Sequence, residues 1–272
     1  MNTSEEVFFR PEKAVFGLNL PPPGQPDRQT VLAFSMAKAG STLLFDMLRI
    51  LARAVGVAYF EPEAQLFAAG RDPLARPTDL QFAYPAAGYC FGGFRQFPAH
   101  PIPLLDHART IFLVRDPRDM IVSLYFSLVG SHEIPAAGAD GSNAMQEARD
   151  FVSRLSLSEF LWSGILQYTR MFEGYVANRF HARENVRIYR YEDIIYRKAA
   201  FLSDVQGWFG WDVPPALVDT IASQVDFIPD AEQRGAHIRQ AHPGNHSTYL
   251  SVAESRQVAN DLREYMQIFG YT

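Results

Sequence analysis

Two stretches of this chain carry residue types suited to holding an anion. The first runs Val31-Leu32-Ala33-Phe34-Ser35-Met36-Ala37-Lys38-Ala39-Gly40-Ser41-Thr42, the second Thr110-Ile111-Phe112-Leu113-Val114-Arg115-Asp116-Pro117-Arg118-Asp119. In each, an apolar run of β-formers stops at small or polar residues and a helical pattern begins. Such a strand, turn and helix aims backbone amides and the positive end of a helix dipole at one point, beside a Lys in the first case and an Arg in the second. Two turns of this kind suit a ligand that is anionic at both ends.

The elements that must position these turns follow from pattern. Thr30 to Ser35 reads as a buried strand, and Leu43, Leu44, Met47, Leu48, Leu51 and Val55 then repeat at helical spacing up to Gly56. Residues 57 to 107 are rich in Pro, Gly and Ala, with a short strand at Tyr89 to Phe94, and are where an acceptor surface could be built. Ala108 to Val114 is the next strand. Asp116 as N-cap, Pro117 at the first helical position and Asp119 three residues after the cap start the helix that follows. Residues 130 to 149 read as a long loop of the lid or binding type. Further on the pattern predicts a helix from Ser158 to Asn178, a strand at Val186 to Tyr191, a helix from Ile194 to Phe209, a short helix after Pro214-Pro215 and a last one from Val252 to Phe269. Residues 1 to 29, with Pro21-Pro22-Pro23-Gly24, read as an extended arm, and 30 to 272 as a single domain.

At these residues the chain resembles the sulfotransferases that use 3'-phosphoadenosine-5'-phosphosulfate (PAPS). Lys38-Ala39-Gly40-Ser41-Thr42 is similar to that family's 5'-phosphosulfate loop, Lys-x-Gly-Thr-Thr or a Ser variant, and Arg115 with Ser123 is similar to its 3'-phosphate site. Tyr191-Glu192-Asp193 resembles the family's Tyr-Glu-Asp strand end. Arg239-x-x-x-x-Gly244 keeps the spacing of its C-terminal Arg-Lys-Gly-x-x-Gly loop, with Gln240 and Ala241 in place of the Lys and the first Gly. The resemblance spans residues 31 to 246. It implies an α/β fold: a P-loop-like three-layer sandwich whose central parallel sheet is flanked by helices.

It also implies a reaction: sulfuryl transfer from PAPS to an acceptor hydroxyl of a small molecule, lipid or saccharide by in-line displacement, with PAP as product and no metal. That chemistry asks for positioning and for a cation at the bridging oxygen. Lys38 occupies the place of that cation, while Ala39, Gly40, Ser41 and Thr42 would hold the 5'-phosphate. Arg115 would pair with the 3'-phosphate through its planar fork, Ser123 would add a hydroxyl, and Arg239, Gln240 and Ala241 would close over the same group. Tyr191 resembles the residue that contacts the adenine, the other reading being a core tyrosine at a strand end. Leu43 stands where many cytosolic members place a Trp.

The general base is open among several residues. Cytosolic members use a His where this chain has Gln96, with His100 and His107 nearby. Carbohydrate- and tyrosine-modifying members use a Glu about two dozen residues beyond the loop's basic residue, where Glu61 and Glu63 stand. A carboxylate beside Tyr59, Phe60, Leu66 and Phe67 would be pushed toward neutrality, as a base requires. Glu61 is slightly preferred to Glu63, and His100 follows.

Composition sets bounds. A chain of 272 residues, 47% hydrophobic, can bury a large core, and a net charge of -5 argues against nucleic acid as partner. Cys90 is the single cysteine, so no intrachain disulfide can form, which fits a reducing cytoplasm. The start is polar and acidic, unlike a signal peptide, and no apolar run reaches the ~18 residues of a membrane span, which resembles the soluble, bacterial-type members.

Three rivals remain in view. A P-loop kinase or NTPase would need Gly-x-x-x-x-Gly-Lys-Ser/Thr, whereas here the Lys precedes the Gly. A metal centre on His237, His242 and His246 would need the rings on one face, and Pro243-Gly244 breaks any helix between them. The third rival is a PAP-binding protein without catalysis.

Overall fold

The computed structural model describes residues 6–9, 16–68, 84–98, 101–131, 142–226 and 241–272. At the N-terminus, β1 (Glu6–Phe9) and β2 (Phe16–Asn19) pair antiparallel, with Glu6 opposite Asn19. The segment expected to run as an extended arm therefore contains a two-stranded sheet of its own.

The main sheet has five parallel strands. Its members are β3 (Val31–Ser35), followed by α1 (Ser41–Ala54); β4 (Ala58–Phe60), followed by α2 (Pro62–Ala68); β5 (Tyr89–Phe94); β6 (Thr110–Val114), followed by α3 (Pro117–Phe126), α4 (Ser142–Val152) and α5 (Leu157–Ala177); and β7 (Val186–Arg190). After β7 come α6 (Tyr191–Ile194), α7 (Lys198–Phe209), α8 (Pro215–Gln224), α9 (His246–Tyr249), α10 (Val252–Asp261) and α11 (Arg263–Ile268).

Both sheet faces are covered because successive side chains of a buried strand point opposite ways. Leu32 and Phe34 of β3, with Phe112 and Val114 of β6, enter a core shared with Phe160, Tyr168, Phe172 and Tyr175 of α5 and with Val258 and Met266. Val31, Ala33, Ile111 and Leu113 enter the opposite core, against Leu44, Leu48 and Leu51 of α1 and Leu202, Val205 and Ile221. The result is the three-layer sandwich that the resemblance implied.

Strand order is β4-β5-β3-β6-β7. The chain moves outward from β3 to β4, returns to β5, then crosses to β6 and β7 on the other side. Where such an order reverses, the crevice beyond the carboxyl ends of the strands is open to a ligand. The two turns that the sequence marks as candidates to hold an anion, after β3 and after β6, sit there.

Three expectations need correction. Residues 130 to 149 are not all loop: a π-helical turn at Ser127–Ser131 continues α3, and α4 begins at Ser142, while 132–141 lie outside the described residues. The Gly and Pro of that stretch masked a helix-forming run that buries Val152. The helix expected from Ile194 is two, α6 and α7, and Tyr191 opens α6 instead of ending β7. The last helix breaks at Leu262, whose side chain is fully buried and whose backbone leaves the helical range (φ -107, ψ 21).

Candidate active site

The loop after β3 is fixed from both sides. Met36 N donates to Leu113 O of β6 at 3.3 Å, and Ala37 N donates to Arg95 O, just past β5, at 2.9 Å. Two tyrosines of α5 hold its carbonyls: Tyr175 Oη donates to Ser35 O at 3.0 Å and Tyr168 Oη to Ala37 O at 3.1 Å. Lys38 adopts φ +67, uncommon for a side-chain-bearing residue and typical of strained functional loops. Gly40, at φ +92, is the N-cap of α1, and a Cβ there would lie 2.6 Å from Cδ2 of Tyr191. No acidic residue occupies the first turn of α1, so the positive end of its dipole is left for an anion. Ser41 is buried at that turn and Thr42 is exposed.

Arg115 leaves the end of β6 and is 6% exposed. Its Nη1 donates to Lys38 O at 3.4 Å and its Nη2 to Asp119 Oδ2 at 3.3 Å, and its guanidinium lies 4.4 Å from the ring centre of Tyr191. Its Nε is buried and, among the described residues, has no hydrogen-bond partner. A buried donor on a cation beside this loop is a group whose hydrogen-bonding capacity an anion would satisfy. Ser123 is half-buried two turns along α3 from Asp116.

Asp119 binds the C-terminal loop. Its side chain is fully buried, Oδ2 accepts from Gly244 N at 2.8 Å, and Oδ1 accepts from His246 N at 2.8 Å and faces His246 Nδ1 at 2.9 Å. Burial opposes its ionisation, but His246, the Arg115 charge and the two amides outweigh burial and hold its carboxyl down at about 2. Neither this role of Asp119 nor the position of His246 was legible in sequence, because the contacts join residues 125 to 127 positions apart.

Tyr191 sits between these parts. Its ring packs on Gly40 and Arg115, and its hydroxyl donates to Ala241 O at 2.7 Å, so one buried side chain connects the turns after β3 and β6 to the C-terminal loop. The neighbouring Glu192 accepts from Asp116 N at 2.9 Å and from Tyr271 Oη at 2.8 Å, which fastens the turn after β6 to the end of the chain. Leu43 packs half-buried against the α1-side core.

The two candidate carboxylates follow β4 and face different surroundings. Glu61 Oε1 accepts from Arg49 Nη2 at 2.6 Å. Its Cβ would be 2.8 Å from a Cβ on Gly93, a residue at φ +81. There β5 holds one extra residue against β3: Leu32 pairs with Phe91 and Phe34 with Phe94, a bulge that glycine permits. Glu63, 7% exposed, accepts from Arg95 N at 3.3 Å and, among the described residues, has no cationic side chain as a hydrogen-bond partner. Burial raises its carboxyl to about 7, against the opposing pull of the Arg95 amide and charge.

The structure thus brings Lys38, Ala39, Gly40, Ser41, Thr42, Arg115, Tyr191 and Ala241 together, with Glu61 and Glu63 two strands away at the same end of the sheet. His107 is exposed ahead of β6, at the opposite end. His100, Arg239 and Gln240 lie outside the described residues, as does His237. His242 and His246 turn to different partners, Tyr196 and Asp119, and among the described residues no group of His, Cys, Asp and Glu is arranged to hold a metal. Among the same residues no helix is long and apolar enough to cross a membrane.

Comparison with known proteins agrees with this geometry. No curated protein sequence matches the chain significantly. Among solved structures, mouse sulfotransferase SULT7A1 complexed with PAP is similar at a TM-score of 0.59 and 14% identity, over 88% of this chain and 85% of that one. Retinol dehydratase in a complex with retinol and PAP is similar at 0.54 and 14%, over 91% and 83%. At such identities the likeness is one of fold. The family described as sulfotransferase domain matches residues 97–268, which include Arg115, Ser123 and Tyr191 and leave out the Lys38 loop. With well over half its length matched and the three-layer sheet in place, the chain belongs to the sulfotransferase family.

Proposed function

We propose that this sulfotransferase takes its sulfuryl group from PAPS and delivers it to an acceptor hydroxyl of a small molecule, lipid or saccharide by in-line displacement. One observation carries the reading: the two anion-binding turns are side by side, Arg115 Nη1 on Lys38 O, with Arg115 Nε buried and unpartnered among the described residues. A donor with a 3'-phosphate and a 5'-phosphosulfate has anionic groups at the spacing of one nucleoside, and two adjoining cationic turns match it.

In the proposed roles, the α1 N-terminus with Gly40, Ser41 and Thr42 holds the 5' end, and Arg115 and Ser123 hold the 3'-phosphate. Lys38 steadies the charge that builds on the bridging oxygen as its bond to sulfur breaks and the acceptor oxygen bonds to sulfur. Tyr191, already bonded to Ala241 O, braces the two turns. For the acceptor's proton we assign Glu63 in preference to Glu61. Glu61 is held by Arg49, whereas Glu63 is buried, raised to about 7, and joined through Arg95 to the loop that carries Lys38. Residues 30 to 272 act as one domain in this reading, and the reducing cytoplasm fits its single thiol.

The test is a titration with PAP, AMP and ATP plus Mg. PAP should bind at least tenfold tighter than AMP, which lacks the 3'-phosphate, and Arg115→Ala should close that gap. Equal affinities for PAP and AMP, or preference for ATP with Mg, would reject the donor assignment.

A further inference from the structure

The side chain of Arg115 is held by long hydrogen bonds. Those to Lys38 O and Asp119 Oδ2 span 3.4 and 3.3 Å, beyond the usual N–H···O range of about 2.7 to 3.2 Å, and its Nε has no partner among the described residues. Arg115 also lies one residue past the last strand pairing of β6, Val114 with Arg190. Where the guanidinium points therefore depends on the peptide from which it springs. That peptide, between Arg115 and Asp116, is fixed by Glu192, whose Oε1 accepts from Asp116 N at 2.9 Å. Tyr191 and Glu192, adjacent in sequence, thus take the two ends of one arginine: the guanidinium lies 4.4 Å from the centre of the Tyr191 ring, and the Glu192 carboxylate holds the backbone.

That carboxylate is oriented in turn by a segment far along the chain. Tyr271 Oη donates to Glu192 Oε2 at 2.8 Å, so both carboxylate oxygens are engaged. Tyr271 is buried, and burial with the Glu192 charge pushes its hydroxyl up, which keeps it a donor at neutral pH. The Arg190 guanidinium lies 4.4 Å from the centre of the Tyr271 ring, and Arg190 Nη1 donates to Gly270 O at 2.9 Å. Arg118 Nη2 donates to Thr272 O at 2.9 Å while its fork holds both oxygens of Asp116. Residues 270–272 are therefore clipped between the arginine that ends β7 and one in the first turn of α3.

We propose that Glu192, oriented by Tyr271, is the positioning residue for recognition of the 3'-phosphate: it holds the Arg115–Asp116 peptide so that Arg115 meets that phosphate already aimed. The inference rests on the PAPS reading above. Its physical basis is pre-organisation. An arginine free to turn loses rotamer freedom when a phosphate captures it, whereas a planar fork held at its root and against a ring has less to lose. The hydrogen bonds of Glu192 go to Asp116 and Tyr271, neither of them assigned to the 5' end of the donor, so its effect falls on the 3'-phosphate.

The experiment measures PAP and AMP affinity of the full chain by calorimetry and reads their ratio. Glu192→Gln and Glu192→Met have the same charge and nearly the same length, but only Gln can accept from Asp116 N. The preference of the Met variant for PAP over AMP should be at least about threefold below that of the Gln variant, with AMP affinities within about twofold of each other. Tyr271→Phe leaves every charge and the ring in place, and it should lower the wild-type preference by at least about threefold as well. A role confined to stability would lower the melting temperature and leave the ratio where it was. Retained AMP affinity shows that each variant is folded, and if Glu192→Met does not fold, Tyr271→Phe against wild type decides. A smaller change of ratio in either comparison overturns the inference and leaves the PAPS reading standing. If the wild-type protein binds PAP no better than AMP, both fall together.

Discussion

Replacing Glu63 with Gln should make this enzyme more stable and nearly inactive. Burial raises the carboxyl of Glu63 from 4.5 to about 7. A group whose folded-state value lies above its unfolded one favours folding when protonated, so its ionisation weakens the fold as pH rises from about 4.5 to about 7. The full difference, about 2.5 pH units at 1.36 kcal/mol each, is on the order of 3 kcal/mol above about pH 7. Gln is nearly isosteric, stays neutral, and can still accept from Arg95 N. Glu63→Gln should therefore raise the melting temperature by roughly 6 °C at about pH 8 and change it little at about pH 4.5. The same substitution removes the proposed proton acceptor, and kcat should drop by about a hundredfold to ten-thousandfold with PAP affinity intact. In the wild type kcat/KM should climb tenfold per pH unit below about 7 and level off above it. Thermal scans of both proteins across pH, beside a sulfuryl-transfer assay, measure each arm. The reasoning is refuted if Glu63→Gln keeps most of the rate while Glu61→Gln loses it, or if the stability gap between wild type and Glu63→Gln does not grow with pH.

Two further substitutions probe the donor loop. Lys38→Ala should lower kcat by about a hundredfold or more while PAP affinity shifts only a few-fold, because the charge it meets develops as the donor bond breaks; pre-steady-state rates and a PAP titration separate the two quantities. Gly40→Ala should destabilise the protein by about 1–3 kcal/mol, since its φ of +92 excludes a side chain and the new Cβ would lie 2.6 Å from Tyr191. PAP should bind it more weakly than wild type, and denaturant melts with a binding curve check both.

The local elements of this site were written in short stretches of chain. The run Val31 to Ser35, the small residues Ala39 to Thr42, and the triple of Asp116, Pro117 and Asp119 each declare a strand, an uncapped helix start or a capped one through nearest neighbours alone. For that reason β3, β5, β6, β7 and the turns after β3 and β6 were legible before any coordinates, whereas β1, β2, β4 and α2 were not, and the three-layer plan came from the family resemblance. What required the folded chain was every property set by distant partners. The grip of Asp119 on the C-terminal loop at Gly244 and His246, the place of Tyr191 beneath Gly40, and the contrast between Glu61 on Arg49 and Glu63 in the interior all depend on contacts between separate elements. A residue's type says which charge it can carry, but burial and the partners that tertiary packing supplies decide whether that charge is spent on the fold or kept for a ligand.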